Sequence, residues 1–251
     1  MIRIDHLSLD TRLLPLSFGL SRGEVLHVIG PNGSGKSTLL ASVAGLLDFD
    51  GDAFIDDLNV GSSSLATLAM SRAFLSQHDR PAFNLDVSFY LSLSLPQTHQ
   101  VVTMTAESVI QELTELLQIS DKLHRSIHEL SGGEWQRVRL CAICLQIWPS
   151  LNPNARLLIL DEPAAALDIG QEVFLYRLIR KVADMGISVI MSNHDLNRTI
   201  RNADYALLLE NGVMQAYGPV EQVCNPDELS RVFKTSVEKI EVNGESVLVF
   251  T

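Results

Sequence analysis

A glycine-rich segment, GPNGSGKST at residues 30–38, contains the residue types that hold a phosphate chain. Glycines let the backbone turn tightly and bring its N–H groups against an anion. Lys36 is spaced to reach the β- and γ-phosphates, Ser37 offers a hydroxyl group to Mg²⁺, and Thr38 adds a phosphate contact. The segment therefore predicts a nucleoside triphosphate site. The residues predicted to bind are Gly30, Pro31, Asn32, Gly33, Ser34, Gly35, Lys36, Ser37 and Thr38.

A pair of carboxylates, Asp161 and Glu162, follows the apolar run Leu157–Leu160. A short, continuous apolar run is typical of a central parallel strand covered on both faces. Ligands of open α/β sheets bind outside the carboxyl ends of the strands, which would bring this pair to the glycine-rich segment. Asp161 then fits a Mg²⁺ ligand, directly or through water, and Glu162 fits the group that polarises the attacking water. An acidic strand end at the surface is the alternative.

The elements predicted around the glycine-rich segment would position it. The apolar run Val25–Ile29 indicates a buried strand before the segment, and residues 36–45 have the pattern of a helix after it. The phosphates would meet a helix N-terminus, whose partial positive charge favours anions. This order of elements argues against an incidental glycine-rich turn.

A Ser-Gly-Gly-Glu corner at residues 131–134 precedes a helix predicted over residues 134–146. Ser131 is a residue type that caps helices, and Glu134, three residues later, would complete a capping box. The residues alone leave open whether the corner has any role beyond this structural one.

In their order, GPNGSGKST, LSGGE at residues 130–134 and LLILDEP at residues 157–163 resemble the motifs of ATP-binding cassette (ABC) ATPases. The resemblance implies that ATP is bound and hydrolysed with Mg²⁺ by a head-to-tail homodimer. It also implies that the corner of one copy closes over the γ-phosphate held by the other. The residues implied to act across the dimer are Ser131, Gly132, Gly133 and Glu134.

Further single residues match positions of this family. Gln77 resembles the glutamine that contacts Mg²⁺ and the attacking water, and His194 resembles the histidine that contacts the γ-phosphate. Asp168 resembles the aspartate that communicates across the dimer. Most relatives stack an aromatic residue on adenine; this chain has none there, so Arg12 is the candidate, with a solvated turn residue as the alternative. The expected catalytic residues are Lys36, Gln77, Glu162 and His194, and the expected metal ligands are Ser37, Gln77 and Asp161.

Alternation of predicted strands and helices indicates an α/β fold in one ABC domain over residues 1–251. The resemblance implies a mostly parallel core sheet with an N-terminal antiparallel β part, formed by residues 1–77 and 155–251. Residues 78–154 are expected to form an inserted helical subdomain. Their leucine and isoleucine spacing predicts helices over residues 106–118 and 120–127.

Composition restricts the partners. The net charge of −11 disfavours nucleic acid and anionic lipid, and no apolar stretch is as long as a membrane span. The residues before position 10 alternate like a strand rather than a signal peptide, so a cytosolic protein is expected. The three cysteines do not suggest a disulfide framework, and Cys141 and Cys144 are predicted to lie in the core.

Over nearly its whole length the sequence resembles the ATP-binding subunits of importers for iron-siderophores, haem and cobalamin. The stretch from SGGEW to LLILDEP most resembles those of bacterial vitamin B12 (cobalamin) importers. This implies two transmembrane permease subunits docked at a groove near residues 77–89, and indirectly a periplasmic solute-binding protein. The expected location is the cytoplasmic face of the inner membrane. An iron-siderophore or haem importer is the alternative, followed by a non-transport ABC ATPase.

Overall fold

The computed structural model describes residues 1–76, 80–96 and 103–251. The strands are β1 (Ile2–Leu9), β2 (Leu13–Leu20), β3 (Val25–Ile29), β4 (Asp50–Ile55), β5 (Leu58–Asn59), β6 (Arg72–Leu75), β7 (Leu157–Leu160), β8 (Ser188–Ser192), β9 (Tyr205–Glu210), β10 (Val213–Pro219), β11 (Val237–Val242) and β12 (Glu245–Phe250). The helices are α1 (Lys36–Val43), α2 (Leu65–Ser71), α3 (Val87–Leu93), α4 (Thr103–Leu116), α5 (Gly132–Ile147), α6 (Ile169–Asp184), α7 (Leu196–Asn202), α8 (Val220–Val223) and α9 (Pro226–Phe233).

The core sheet has the strand order β10-β9-β3-β8-β7-β6. Neighbours from β9 to β6 run parallel, whereas β10 is antiparallel to β9 at the sheet edge. Strands β3, β7 and β8 are buried along their whole length, as expected of parallel strands covered on both faces. The predicted mostly parallel α/β sheet is confirmed.

Alternate residues of the core strands contribute to two different apolar cores. In β7, Leu158 and Leu160 pack into the core that also contains α5 and α6. Leu157 and Ile159 pack into the core shared with α1 and a second sheet. This division follows from the two-residue period of side chains along a strand. Both cores thus fix β7, and with it the residues that come directly after it.

The second sheet is antiparallel, with the order β2-β1-β4-β5. It confirms the N-terminal antiparallel part implied by the family resemblance. The strands β1 and β2 pair with register shifts near Leu7. Their connection brings residues 11 and 12 towards the glycine-rich segment at residues 30–38, which is called the phosphate loop below. This sheet therefore contributes one wall of the candidate site.

Helices α3, α4 and α5 fall between β6 and β7 in the chain. The helix predicted over residues 106–118 corresponds to α4. The prediction of a helix over residues 120–127 is wrong, because this stretch forms only a 3₁₀ turn at Ser120–Lys122. The reason is that the carbonyls of Leu123 and Arg125 bond to the first N–H groups of α3, at 2.9 and 3.0 Å, instead of continuing a helix. The subdomain boundaries at residues 78 and 154 stay a prediction.

The remaining chain ends in the hairpin β11–β12, which pairs Val242 with Glu245 around an Asn-Gly turn. Asn243 and Gly244 both have positive φ, of 53° and 81°, as a two-residue hairpin turn with this sequence requires. Cys141 and Cys144 are fully buried, as predicted. Among the described helices, none combines the length and the apolar character needed to cross a lipid bilayer.

Candidate active site

The glycines of the phosphate loop allow contacts that a side chain would prevent. Gly30 has a φ of 145°, and a Cβ atom there would lie 2.1 Å from the carbonyl oxygen of Leu209 on β9. Gly35 has a φ of 105°, and its Cβ would lie 2.9 Å from Leu13 on β2. The loop can therefore pass tightly between the core sheet and the antiparallel sheet only because these positions lack side chains.

A polar cleft of about 490 Å³ opens over this loop. Gly33 has a φ of 77°, and a Cβ there would meet no protein atom within 4 Å. The backbone at Gly33 therefore faces open space with no side chain covering it. Bare backbone at the N-terminus of α1 is suited to an anion. The residues that line the cleft are Thr11, Arg12, Asn32, Gly33, Gly35, Lys36, Ser37, Thr38, Glu162, Asn211 and Gly212.

Lys36 is held at the bottom of the loop. Its ammonium group donates hydrogen bonds to the carbonyl oxygens of Gly30 and Pro31, at 2.8 and 3.0 Å, and the residue is only 5% exposed. Burial lowers the pKa of Lys36 below its ordinary value, while Glu162 and Asp161 oppose that shift. A cation with two acidic neighbours and bonds only to neutral carbonyls is poised to exchange those bonds for phosphate oxygens.

Asp161 and Glu162 follow β7, and a single hydroxyl group connects both of them to β8. Ser192, the last residue of β8, donates to Oδ1 of Asp161 at 2.7 Å and accepts the backbone N–H of Glu162 at 2.7 Å. Glu162 has a φ of 48°, in the left-handed region that costs about 1–2 kcal/mol for a residue with a Cβ. This backbone turn points the Glu162 side chain into the cleft, which it lines.

His194 lies two residues after β8. Its Nε2 atom makes a hydrogen-bond contact with Oε1 of Glu162, so the two residues implied to act at the γ-phosphate meet in this conformation. The His194 side chain is 45% exposed and that of Glu162 is 23% exposed. Glu162 lines the cleft, and it also lines an adjoining pocket together with His194.

The cleft fits Mg²⁺ through its oxygen donors. The Ser37 hydroxyl group and the Asp161 carboxylate are hard oxygen ligands of the kind that this ion prefers. In the described parts of the chain, no group of three or more His, Cys, Asp or Glu side chains could hold a metal. Mg²⁺ commonly takes most of its ligands from substrate phosphates and water.

The Ser-Gly-Gly-Glu corner lies away from the cleft of its own chain. Ser131 and Glu134 form a capping box at the start of α5, with the Ser131 hydroxyl accepting the Glu134 N–H at 3.2 Å, which confirms the predicted cap. A Cβ on Gly133 would lie 2.2 Å from Gln171 of α6. Ser131, Gly132, Gly133 and Glu134 are not among the residues that line the cleft.

Two further predicted residues are placed by the structure. Asp168 caps α6 by accepting the N–H of Gln171 at 2.8 Å, close to the corner just described. Arg12 lines the cleft, where its guanidinium group lies 3.4 Å from Asp10 and is otherwise largely exposed. Gln77 lies outside the described residues.

The sequence reasoning missed four residues at the site. Thr11 lines the cleft beside Arg12. The other three are Ser192, which joins β7 and β8, and Asn211 and Gly212, which form part of the cleft wall. The available signal was their position, because each directly ends or follows a parallel strand whose carboxyl end lies at this edge of the sheet. Gly212 also donates its N–H to the Ser34 carbonyl at 2.9 Å, which ties this turn to the phosphate loop.

Comparison with known proteins gives the family. The ABC transporter family model matches residues 13–165. The chain is 57% identical over 251 residues to the protein named Vitamin B12 import ATP-binding protein BtuD in Vibrio atlanticus, and the match covers 100% of both chains. It is 54% identical over 250 residues to the protein of the same name in Vibrio cholerae serotype O1 strain ATCC 39541, again with 100% of both covered.

Solved structures have the same fold. A metal-chelate type ABC transporter in an inward-facing conformation matches with a TM-score of 0.80 at 20% identity, covering 100% of this chain and 96% of the other. A dimeric bacterial ABC transporter cassette matches with a TM-score of 0.73 at 21% identity, covering 88% and 99%. With the sequence matches and the site geometry, these findings establish that the chain belongs to the ABC transporter family and is an ATPase that uses ATP and Mg²⁺.

Proposed function

We propose that this ATPase powers the import of vitamin B12 through membrane permease subunits. The observation that carries the proposal is the identity of 57% and 54%, over the whole chain, to two proteins named for vitamin B12 import. Identity at this level over the full length extends well beyond the ATP-binding motifs. No observation favours the iron-siderophore or haem alternative, and both solutes serve as competitors in the test below.

The proposed work cycle uses two copies of the chain. ATP held by the phosphate loop of one copy is covered by Ser131, Gly132, Gly133 and Glu134 of the other. Closure is driven because ATP binds the closed dimer better than the open one, and such a difference in affinity is what allows a ligand to shift a conformational equilibrium. Asp168, at the start of α6, is assigned to communication between the two sites.

Each catalytic side chain has a proposed task in hydrolysis. Glu162 orients and polarises the attacking water, and His194 contacts the γ-phosphate. Lys36 stabilises charge on the β- and γ-phosphates. Ser37, Asp161 and Gln77 would hold Mg²⁺, which supplies positive charge at the phosphate oxygens when bound. Arg12 is proposed to stack on the adenine base.

The proposed docking surface for the permease lies on the helices between β6 and β7. Phe83 and Phe89 are 68% and 53% exposed, which is unusual for large apolar side chains and typical of a partner site. A cleft of about 380 Å³, lined by other residues, runs between α2 and the end of α3. A partner helix laid over Phe83 and Phe89 would bury their side chains. Such docking places the chain at the cytoplasmic face of the inner membrane, with a periplasmic solute-binding protein as an indirect partner.

Reconstituted transport tests the proposal. The chain is combined with its copurified permease in proteoliposomes, and uptake of labelled vitamin B12 is followed with ATP present on the side of the ATPase. Uptake is expected to require ATP and to stop in the Glu162→Gln variant, whose folding is checked by retained ATP binding. Stronger competition by an iron-siderophore or by haem than by vitamin B12 itself would refute the assigned solute while leaving the ATPase assignment intact.

A further inference from the structure

A buried polar network lies directly behind His194. Asn193, the residue before it, is only 5% exposed, and its side-chain Oδ1 accepts the backbone N–H of Asp195 at 3.1 Å. A backbone N–H can only donate, so this bond fixes which end of the amide is oxygen. The Asn193 side chain thus closes a small ring around the backbone of His194, and its Nδ2 group must point into the protein.

Two anchors receive that Nδ2 group, and they belong to different elements. Tyr176 on α6 accepts through its hydroxyl oxygen at 3.1 Å. His27 on the central strand β3 offers its Nδ1 atom at 3.3 Å. Tyr176 and His27 also approach each other, with ring centroids 6.3 Å apart. The amide is therefore held between a helix and the sheet.

His27 is suited to this contact because it stays neutral. The residue is fully buried, and burial, with a smaller effect of Arg180, lowers its pKa to about 3. A neutral imidazole has one N–H and one lone pair, so Nδ1 has a partner in either tautomer. Because the Nδ2 group of Asn193 can only donate, their contact requires Nδ1 to accept, with the ring proton on Nε2. The Thr199 hydroxyl oxygen lies 3.1 Å from the same Nδ1 atom, and no atom of the described residues pairs with Nε2.

We propose that Asn193, anchored by Tyr176 and His27, is a positioning residue that sets the orientation of His194 towards the substrate. The inference rests on the proposed role of His194 at the γ-phosphate. Hydrogen bonds that fix a backbone segment reduce the number of arrangements a catalytic side chain samples, and a displacement of about 1 Å is sufficient to slow a reaction strongly. None of the three residues lines the ATP cleft, so ATP affinity does not depend on them directly.

The test compares two substitutions that each remove one tyrosine hydroxyl group. Tyr176→Phe keeps the ring and its packing but removes the acceptor for Asn193. Tyr217→Phe is the matched control, since its hydroxyl donates to the carbonyl of Gly19, away from the site. For Tyr176→Phe we expect kcat for ATP to fall about fivefold, as for the loss of one neutral hydrogen bond, with KM changed by less than about twofold. The control is expected to keep the parental values.

A second readout does not depend on activity. Hydrogen exchange of the full-length chain is measured at the backbone segment that contains Asp195, whose N–H is protected by Asn193. Exchange there is expected to become at least about threefold faster in Tyr176→Phe and to stay unchanged in the control. A kcat equal to that of the parent, a KM that rises as much as kcat falls, or unchanged exchange would each overturn the proposal.

The other anchor provides an independent pair. His27→Asn retains a polar group near the position of Nδ1 and is expected to keep most of the activity, whereas His27→Leu removes it and should behave like Tyr176→Phe. Equal kcat values for the two variants would contradict the assigned contact. Failure of vitamin B12 uptake by the parent would refute the proposed transport function only, because ATP turnover and local exchange are measured without the solute.

Discussion

The hydroxyl group of Ser192 donates a hydrogen bond of 2.7 Å to Oδ1 of Asp161. The Ser192 hydroxyl oxygen also accepts the N–H of Glu162 at 2.7 Å. One small side chain at the end of β8 therefore holds both carboxylate residues that follow β7. Ser192 is only 1% exposed, which leaves little freedom for the pair to move. The spacing between the proposed metal ligand and the proposed water-polarising residue is thereby set by the adjacent strand.

Removing this hydroxyl group should impair catalysis more than stability. Ser192→Ala is expected to lower kcat for ATP about tenfold and to raise the Mg²⁺ concentration needed for half-maximal rate, since a bond to a charged group contributes about 1.5–3 kcal/mol. Ser188→Ala is the control, because Ser188 lies in the same strand and donates to Ser21 at 2.9 Å, far from the carboxylates. Equal kcat losses in the two variants would show that Ser192 acts only through the strand.

The close approach at Gly30 predicts a large structural effect of one methyl group. In Gly30→Ala the new Cβ would lie 2.1 Å from the Leu209 carbonyl, so the phosphate loop must shift. Gly186→Ala is the control: φ there is also positive, at 83°, but no atom lies within 4 Å. Measured by urea unfolding, Gly186→Ala should cost about 1 kcal/mol and Gly30→Ala at least about 2 kcal/mol more. Similar costs would contradict the tight packing of the loop.

Charged substitutions should separate ATP hydrolysis from its stimulation by the permease. Phe83→Asp and Phe89→Asp change exposed side chains and are expected to leave the ATPase activity of the isolated chain unchanged. Stimulation of that activity by the permease should be lost, because a charge on an apolar docking surface loses its hydration when the partner docks. Phe250→Asp, at a phenylalanine 45% exposed on the C-terminal hairpin, is the control. Full stimulation of both Phe83→Asp and Phe89→Asp by the permease would place the docking surface elsewhere.

The cysteines should be unreactive while the chain is folded. All three are fully buried, and burial raises the pKa of Cys144 to about 12 and that of Cys224 to about 11. Burial likewise raises the pKa of Cys141 well above its ordinary value. A thiol reacts as its thiolate, so iodoacetamide at pH 8 should label none of them until denaturant is added. Rapid labelling of the native chain would show that the helices around α5 open readily.

Motifs that lie on or beside a strand or helix were the features most predictable from the sequence. Val25–Ile29 and Leu157–Leu160 were predicted as buried strands and form β3 and β7, because a continuous apolar run of this length satisfies both faces of a parallel sheet. The capping box of Ser131 and Glu134 also followed from local spacing alone. These features depend on short stretches of chain and on backbone hydrogen bonding.

Contacts between distant segments could not be derived in the same way. Ser192 lies 31 residues from Asp161, and a serine at the end of an apolar run carries no sign of its partner. The network of His27, Tyr176 and Asn193 joins three separate elements and leaves no periodic pattern. The carbonyls at residues 123 and 125 bond to α3 rather than to a continuing helix, which local leucine spacing does not reveal.

Each ATP site is proposed to be built from two chains, and the arrangement of two substitutions tests this. Mixed dimers are isolated with two different affinity tags and assembled with the permease. In one dimer, Ser131→Ala and Glu162→Gln are on different chains; in the other, both are on the same chain. If Ser131 acts across the dimer, the first dimer keeps one intact site, and the second keeps none.

The rate of ATP hydrolysis by each of these two dimers shows whether Ser131 acts across the dimer or within its own chain. The dimer with the substitutions on different chains is expected to retain up to about half of the parental rate, and the dimer with both on one chain is expected to lose most of its activity. The opposite order, with activity retained when both substitutions are on one chain, would mean that every chain hydrolyses ATP with its own corner and would contradict the composite site.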